Sequence, residues 1–130
     1  MSTTTGETYG SQQPMLSFAA DHHVRWKADD SFSDGMSWSG AQWQSINAFF
    51  TPGDVFRTGD FVELRVARSL LGNPSQLDLH LGMLNEASGG EWTWAAVPGA
   101  SYSDGLDPDF SLYFRFDLDG AVVPAAHSPS

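Results

Sequence analysis

The stretch Phe110-Ser111-Leu112-Tyr113-Phe114-Arg115-Phe116-Asp117-Leu118 decides the fold class. Its apolar members Phe110, Leu112, Phe114, Phe116 and Leu118 alternate strictly with Ser111, Tyr113, Arg115 and Asp117. A period of two puts the first set on one face of a strand and the second on the other, whereas a helix would scatter both. The spacing predicts a strand with one apolar face, and such a face needs a cover.

Moving outward, the same period recurs. Val62, Leu64 and Val66 alternate with Glu63 and Arg65, and Leu77, Leu79, Leu81 and Met83 alternate with Asp78, His80, Gly82 and Leu84. Upstream, His22, Val24 and Trp26 share one predicted face, and His23, Arg25 and Lys27 the other. Trp43 to Phe50 and Glu91 to Val97 are two further runs. Asp34-Gly35, Pro52-Gly53, Gly59-Asp60 and Ser88-Gly89-Gly90 punctuate them as turns or loops. Arg68 to Leu71 reads as one helical turn, stopped by Gly72-Asn73-Pro74. No window holds a longer helical period. Six or more short strands, each with one apolar face, predict an all-β chain folded as an antiparallel β-sandwich of jelly-roll or immunoglobulin-like kind. Met1 to Pro14 is small and polar and reads as a flexible lead-in, residues 15–120 as the sandwich domain, and residues 121–130 as a flexible tail.

Composition narrows the function. The 130 residues carry 16 acidic against 6 basic side chains, a net charge of −10. That charge repels phosphate backbones and anionic lipid surfaces, so neither is an expected partner, and no segment approaches the ~20 apolar residues that cross a bilayer, so membrane insertion is not expected. The absence of cysteine removes disulfides, thiolate zinc sites and a cysteine nucleophile. No basic region followed by an apolar stretch stands at the start, so no signal peptide is read in this chain.

Four residue sets bear on chemistry. Trp38 and Trp43 flank Ser39-Gly40-Ala41-Gln42, and Trp92 and Trp94 follow a Gly-Gly loop. An indole stacks on the C–H face of a pyranose while polar neighbours take the hydroxyls, and Gln42, Gln44, Asn47, Asn85 and Glu91 are the candidate neighbours. Asp104, Asp107 and Asp109 place three carboxylates on one short loop, oxygen ligands that suit a structural calcium. His22 and His23 point to opposite faces, so with His80 they predict ordinary strand histidines, not a metal site. Glu63, Glu86 and Glu91 are the carboxylates a glycoside-cleaving pair would draw on, but Glu63 is expected at the surface or paired with Arg65 or Arg115. With no nucleophile elbow, P-loop or zinc motif, the chain is read as no enzyme.

The run Phe61 to Gly72 resembles a strand–short-helix signature of DOMON-like sandwiches, a group that includes the family 9 carbohydrate-binding modules of secreted glycoside hydrolases. Leu77 to Leu84, Trp92-Thr93-Trp94 and the acidic stretch Asp104 to Asp109 fill the roles of the elements that follow, and Ala67 stands where the pattern has proline. The resemblance covers about Ala20 to Leu118 and implies a C-terminal part of a larger secreted protein, extracellular or periplasmic, whose sandwich lacks its first strands. It implies a non-catalytic, carbohydrate-binding function. The alternative is a structural or protein-interaction sandwich without a small ligand, in which an open sheet edge pairs two copies as a homodimer.

Overall fold

The computed structural model describes residues 3–9, 12–46, 51–87, 90–98, 100–101, 110–120 and 125–127. Among these the chain is all-β. Its strands pair antiparallel throughout, and its helical content is two 3-10 turns, Pro52–Asp54 and Arg68–Leu71. The second turn ends as the sequence predicts, with Gly72 at φ +79, a left-handed cap that only glycine adopts freely. The chain divides into two compact units, one made of residues 1–20 and 75–130, the other of residues 21–74.

The first unit holds three small sheets. β1 (Thr3–Thr5) pairs with β2 (Met15–Ala20). β8 (Gln76–Leu79) and β13 (Ala125–His127) flank β12 (Tyr113–Asp117). β9 (Leu81–Ala87) and β11 (Ala100–Ser101) flank β10 (Gly90–Val97). Burial is deepest here, at Tyr9, Gln12, Ala20, Thr93, Ala96, Phe110 and Tyr113. The lead-in expected to be flexible therefore contributes a strand and a buried tyrosine, and part of the expected tail forms an edge strand on β12.

Two sequence expectations fail in this unit for reasons that can be named. The run Leu77 to Leu84 is not one strand. It breaks at His80, whose Nδ1 lies 2.9 Å from the Leu112 carbonyl and whose ring centre sits 3.9 Å from that of Phe110. The chain thus leaves one sheet and enters another. On the far side of the break, Leu81, Met83 and Val97 face outward, while Gly82 lies against Phe110 and Ala96 is buried. The alternation of Phe110 to Leu118 also misjudges Tyr113. This residue, counted with the polar set, is buried and packs on Phe18 at 5.3 Å between ring centres. Both faces of β12 carry packing, because an aromatic ring with one polar tip serves an inner face as well as an aliphatic side chain does.

The second unit holds a three-stranded meander and a hairpin. β3 (His22–Trp26), β4 (Ser33–Trp38) and β5 (Trp43–Ile46) pair in sequence order. β6 (Val55–Thr58) and β7 (Phe61–Leu64) form the hairpin across Gly59-Asp60. Asp34-Gly35, expected as a turn, lies inside β4. The turn is made instead at Ala28 to Ser31, where Asp29 Oδ1 accepts from the Ser31 backbone N–H at 3.0 Å and Asp30 takes φ +63. Asp tolerates that region and closes such turns with its own carboxylate, which frees Asp34 for the ladder.

Candidate functional site

The β3–β4–β5 sheet brings two of the predicted tryptophans together. Ser39 N–H donates to the Gln42 carbonyl at 2.9 Å, and Gly40 supplies φ +97 with open space around it, so the backbone angle and not crowding calls for glycine. This tight connection sets Trp38 directly opposite Trp43. Their ring centres lie 5.6 Å apart at 69°, the edge-to-face arrangement that the ring quadrupole favours. His23 approaches Trp43 in the same manner at 6.4 Å.

Register assigns the rest of this face. His23 stands opposite Met36, Arg25 opposite Asp34, and Lys27 bonds through its N–H to the Phe32 carbonyl, so Phe32 continues the same side. Met36 in turn stands opposite Ser45. At the centre Arg25 and Asp34 form a two-pronged pair, Nε to Oδ1 at 3.0 Å and Nη2 to Oδ2 at 2.5 Å, with both side chains about three-quarters buried. The Arg25 guanidinium also lies 5.6 Å from the Phe32 ring centre. The face therefore runs from an indole pair, past a self-neutralised ion pair, to an exposed phenyl ring. Burial, and then Arg25, hold the His23 imidazole down at about 4, while Asp34 pulls the other way. At neutral pH His23 adds no charge to the face.

The opposite face of the same sheet carries Trp26, Ser33, Gly35 and Gln44. Trp26 Nε1 donates to Asp30 Oδ1 at 2.9 Å, and Arg57 from β6 stacks 5.5 Å from the Trp26 ring while bonding Asp30 and the Ala28 carbonyl. This cluster ties the hairpin to the β3–β4 turn.

No family model, curated protein or solved structure matches this chain.

The remaining predicted residues stand elsewhere. Trp92 and Trp94 lie on β10, in the other unit from Trp38 and Trp43. Asn85 is the cross-strand partner of Trp92, and Glu91 that of Glu86. Adjacent positions on a strand face opposite ways, so Glu91, opposite Glu86, does not share a face with Asn85. The two glutamates instead form a like-charged pair. Asn47, Asp104, Asp107 and Asp109 fall outside the described residues. Among the described residues no group of three His, Asp or Glu side chains is placed to hold a metal ion, and no helix is long and apolar enough to cross a membrane.

Glu63 is exposed, as expected, but neither suggested arginine is its partner. Arg65 Nη2 lies 2.9 Å from Asp54 Oδ1, and Arg115 grips Asp78 through two bonds of 2.8 Å. Glu63 stands opposite Phe56.

Sequence reasoning missed Asp34, Arg25 and Phe32. A signal for them existed. A hairpin centred on Asp29-Asp30 places Arg25 across from Asp34 and Lys27 across from Phe32, but the Asp-Gly dipeptide at 34–35 drew the turn to the wrong place.

Proposed function

We propose that this chain is a non-catalytic carbohydrate-binding module of a secreted protein, a β-sandwich of the DOMON-like kind, which binds sugar on the β3–β4–β5 face through Trp38 and Trp43. The observation that carries the reading is the contact between these two indoles on one sheet face with the Arg25–Asp34 pair. In an edge-to-face pair, the ring that presents its edge keeps its own faces uncommitted by that contact. It can stack on the C–H face of a pyranose, while the Asp34 carboxylate, whose oxygens have more lone pairs than Arg25 uses, accepts from a hydroxyl. An acidic chain whose central ion pair cancels itself suits a neutral sugar better than an anionic one.

Affinity electrophoresis of the full chain against a panel of neutral polysaccharides tests this. Retardation on at least one of them, abolished by Trp43→Ala in a folded sample, is the expected result. Uniform mobility on every polysaccharide removes the reading.

A second reading, a protein-interaction sandwich without a small ligand, is favoured by a different observation. On the β6–β7 hairpin Phe56 and Phe61 are 62% and 60% exposed on one face. A lone two-stranded hairpin is marginal in water, and exposed edges recruit further strands. Size-exclusion chromatography with light scattering discriminates. A concentration-dependent dimer that Phe56→Thr dissociates, together with no sugar retardation, favours this second reading.

A further inference from the structure

We propose that the ligand of the β3–β4–β5 face is a linear neutral oligosaccharide of about four hexose units lying along β4, held at one end by Trp38 and Trp43 and at the other by Phe32. This rests on the carbohydrate reading above and adds its substrate class and length. Trp38 and Phe32 are six positions apart on the same side of one extended segment, which at strand rise is about 20 Å. A single sugar ring covers about a quarter of that distance, so a monosaccharide at the indoles leaves the other platform unused.

Phe32 has the features of a ligand contact. The residue is 43% exposed, a large apolar side chain that a turn could have buried. Stacking by the Arg25 guanidinium at 5.6 Å holds it in place, so little rotamer freedom remains to be lost on binding. Between the platforms the row is polar or softly apolar, with Asp34 bonded to Arg25, then Met36 beside the exposed Ser45 hydroxyl. That sequence of aromatic, polar and aromatic contacts matches a chain of rings whose apolar faces and hydroxyl edges recur along its length. The charge of −10 repels a polyanion, and a peptide strand would find no pairing partner on a sheet face, where backbone groups are already spent in the ladders.

The test uses the full chain with ladders of β-1,4-glucan, β-1,3-glucan and β-1,4-mannan of increasing length, from the single hexose to chains longer than the face. Affinity is read by tryptophan fluorescence and calorimetry. On the ladder that binds, affinity is expected to rise about tenfold from two units to four and then to level off. Phe32→Ala is expected to lose that gain, and Phe32→Trp to keep it. Trp43→Ala loses both. Affinity independent of length, or a Phe32→Ala variant that binds the four-unit sugar like the unmodified chain, overturns the extended site but leaves the indole site standing. Failure to bind any ladder, in a sample that polysaccharides also fail to retard, removes the carbohydrate reading itself.

Discussion

Tyr9 Oη and Thr93 Oγ1 lie 2.7 Å apart in the interior of the first unit, 84 positions apart in the chain. Thr93 is fully buried and Tyr9 nearly so, and this bond links the N-terminal segment to β10. A buried hydroxyl deprived of its partner costs more than the bond contributes net. Tyr9→Phe is therefore expected to destabilise the first unit by about 1–3 kcal/mol, and Thr93→Val added to it by much less than its own single effect. Urea unfolding of the two single variants and the double variant checks this. Additive costs would show that the two hydroxyls do not depend on each other.

His23 makes the second unit acid-sensitive. Its folded value of about 4 lies below the 6.5 of the free side chain, so the unfolded chain takes up the proton first. The stability it confers is complete above about pH 6.5, falls as the pH drops towards 4, and is gone below that. Between pH 7 and pH 4.5 the loss is expected to be on the order of 2 kcal/mol. His80, also lowered by burial, acts in the same direction in the other unit. His23→Gln is expected to flatten the pH dependence of chemical unfolding, and an unchanged slope would contradict the assignment.

The Arg25–Asp34 pair is a structural device as well as a proposed ligand contact. Asp34→Ala leaves a largely buried guanidinium without its carboxylate and is expected to cost about 1–3 kcal/mol, read as a lowered unfolding midpoint. Arg115 and Asp78 repeat the arrangement across β12 and β8, with Tyr113 under the guanidinium at 5.3 Å. The Arg115 side chain is more exposed than that of Arg25, so Asp78→Ala is expected to cost less than Asp34→Ala.

Glu86 and Glu91 face each other across β9 and β10, where like charges oppose pairing. Glu86→Lys is expected to raise stability by about 0.2–1 kcal/mol at low salt, with the gain shrinking as ionic strength rises. Thermal unfolding at two salt concentrations measures it.

The all-β class, the antiparallel pairing and the 3-10 turn closed by Gly72 follow from local features of the sequence. Alternation sets which side chains share a face, and a glycine at a positive φ sets where a turn can form. That Trp38 and Trp43 flank a short Gly40 connection is legible in the same way, but their edge-to-face contact is not, since it depends on the β4–β5 register. Other features needed the tertiary structure. Which face of Leu81 to Met83 turns inward depended on Phe110 lying against Gly82, and the break at His80 depended on a carbonyl 32 positions away. The burial of Tyr113, the anchoring of Tyr9 on Thr93, and the choice of Asp34 as partner to Arg25 over the turn its Asp-Gly dipeptide suggests were likewise settled by contact. Period two tells a strand from a helix and separates its two sides. Which side is the interior is decided by what packs against it, and that information lies in distant parts of the chain.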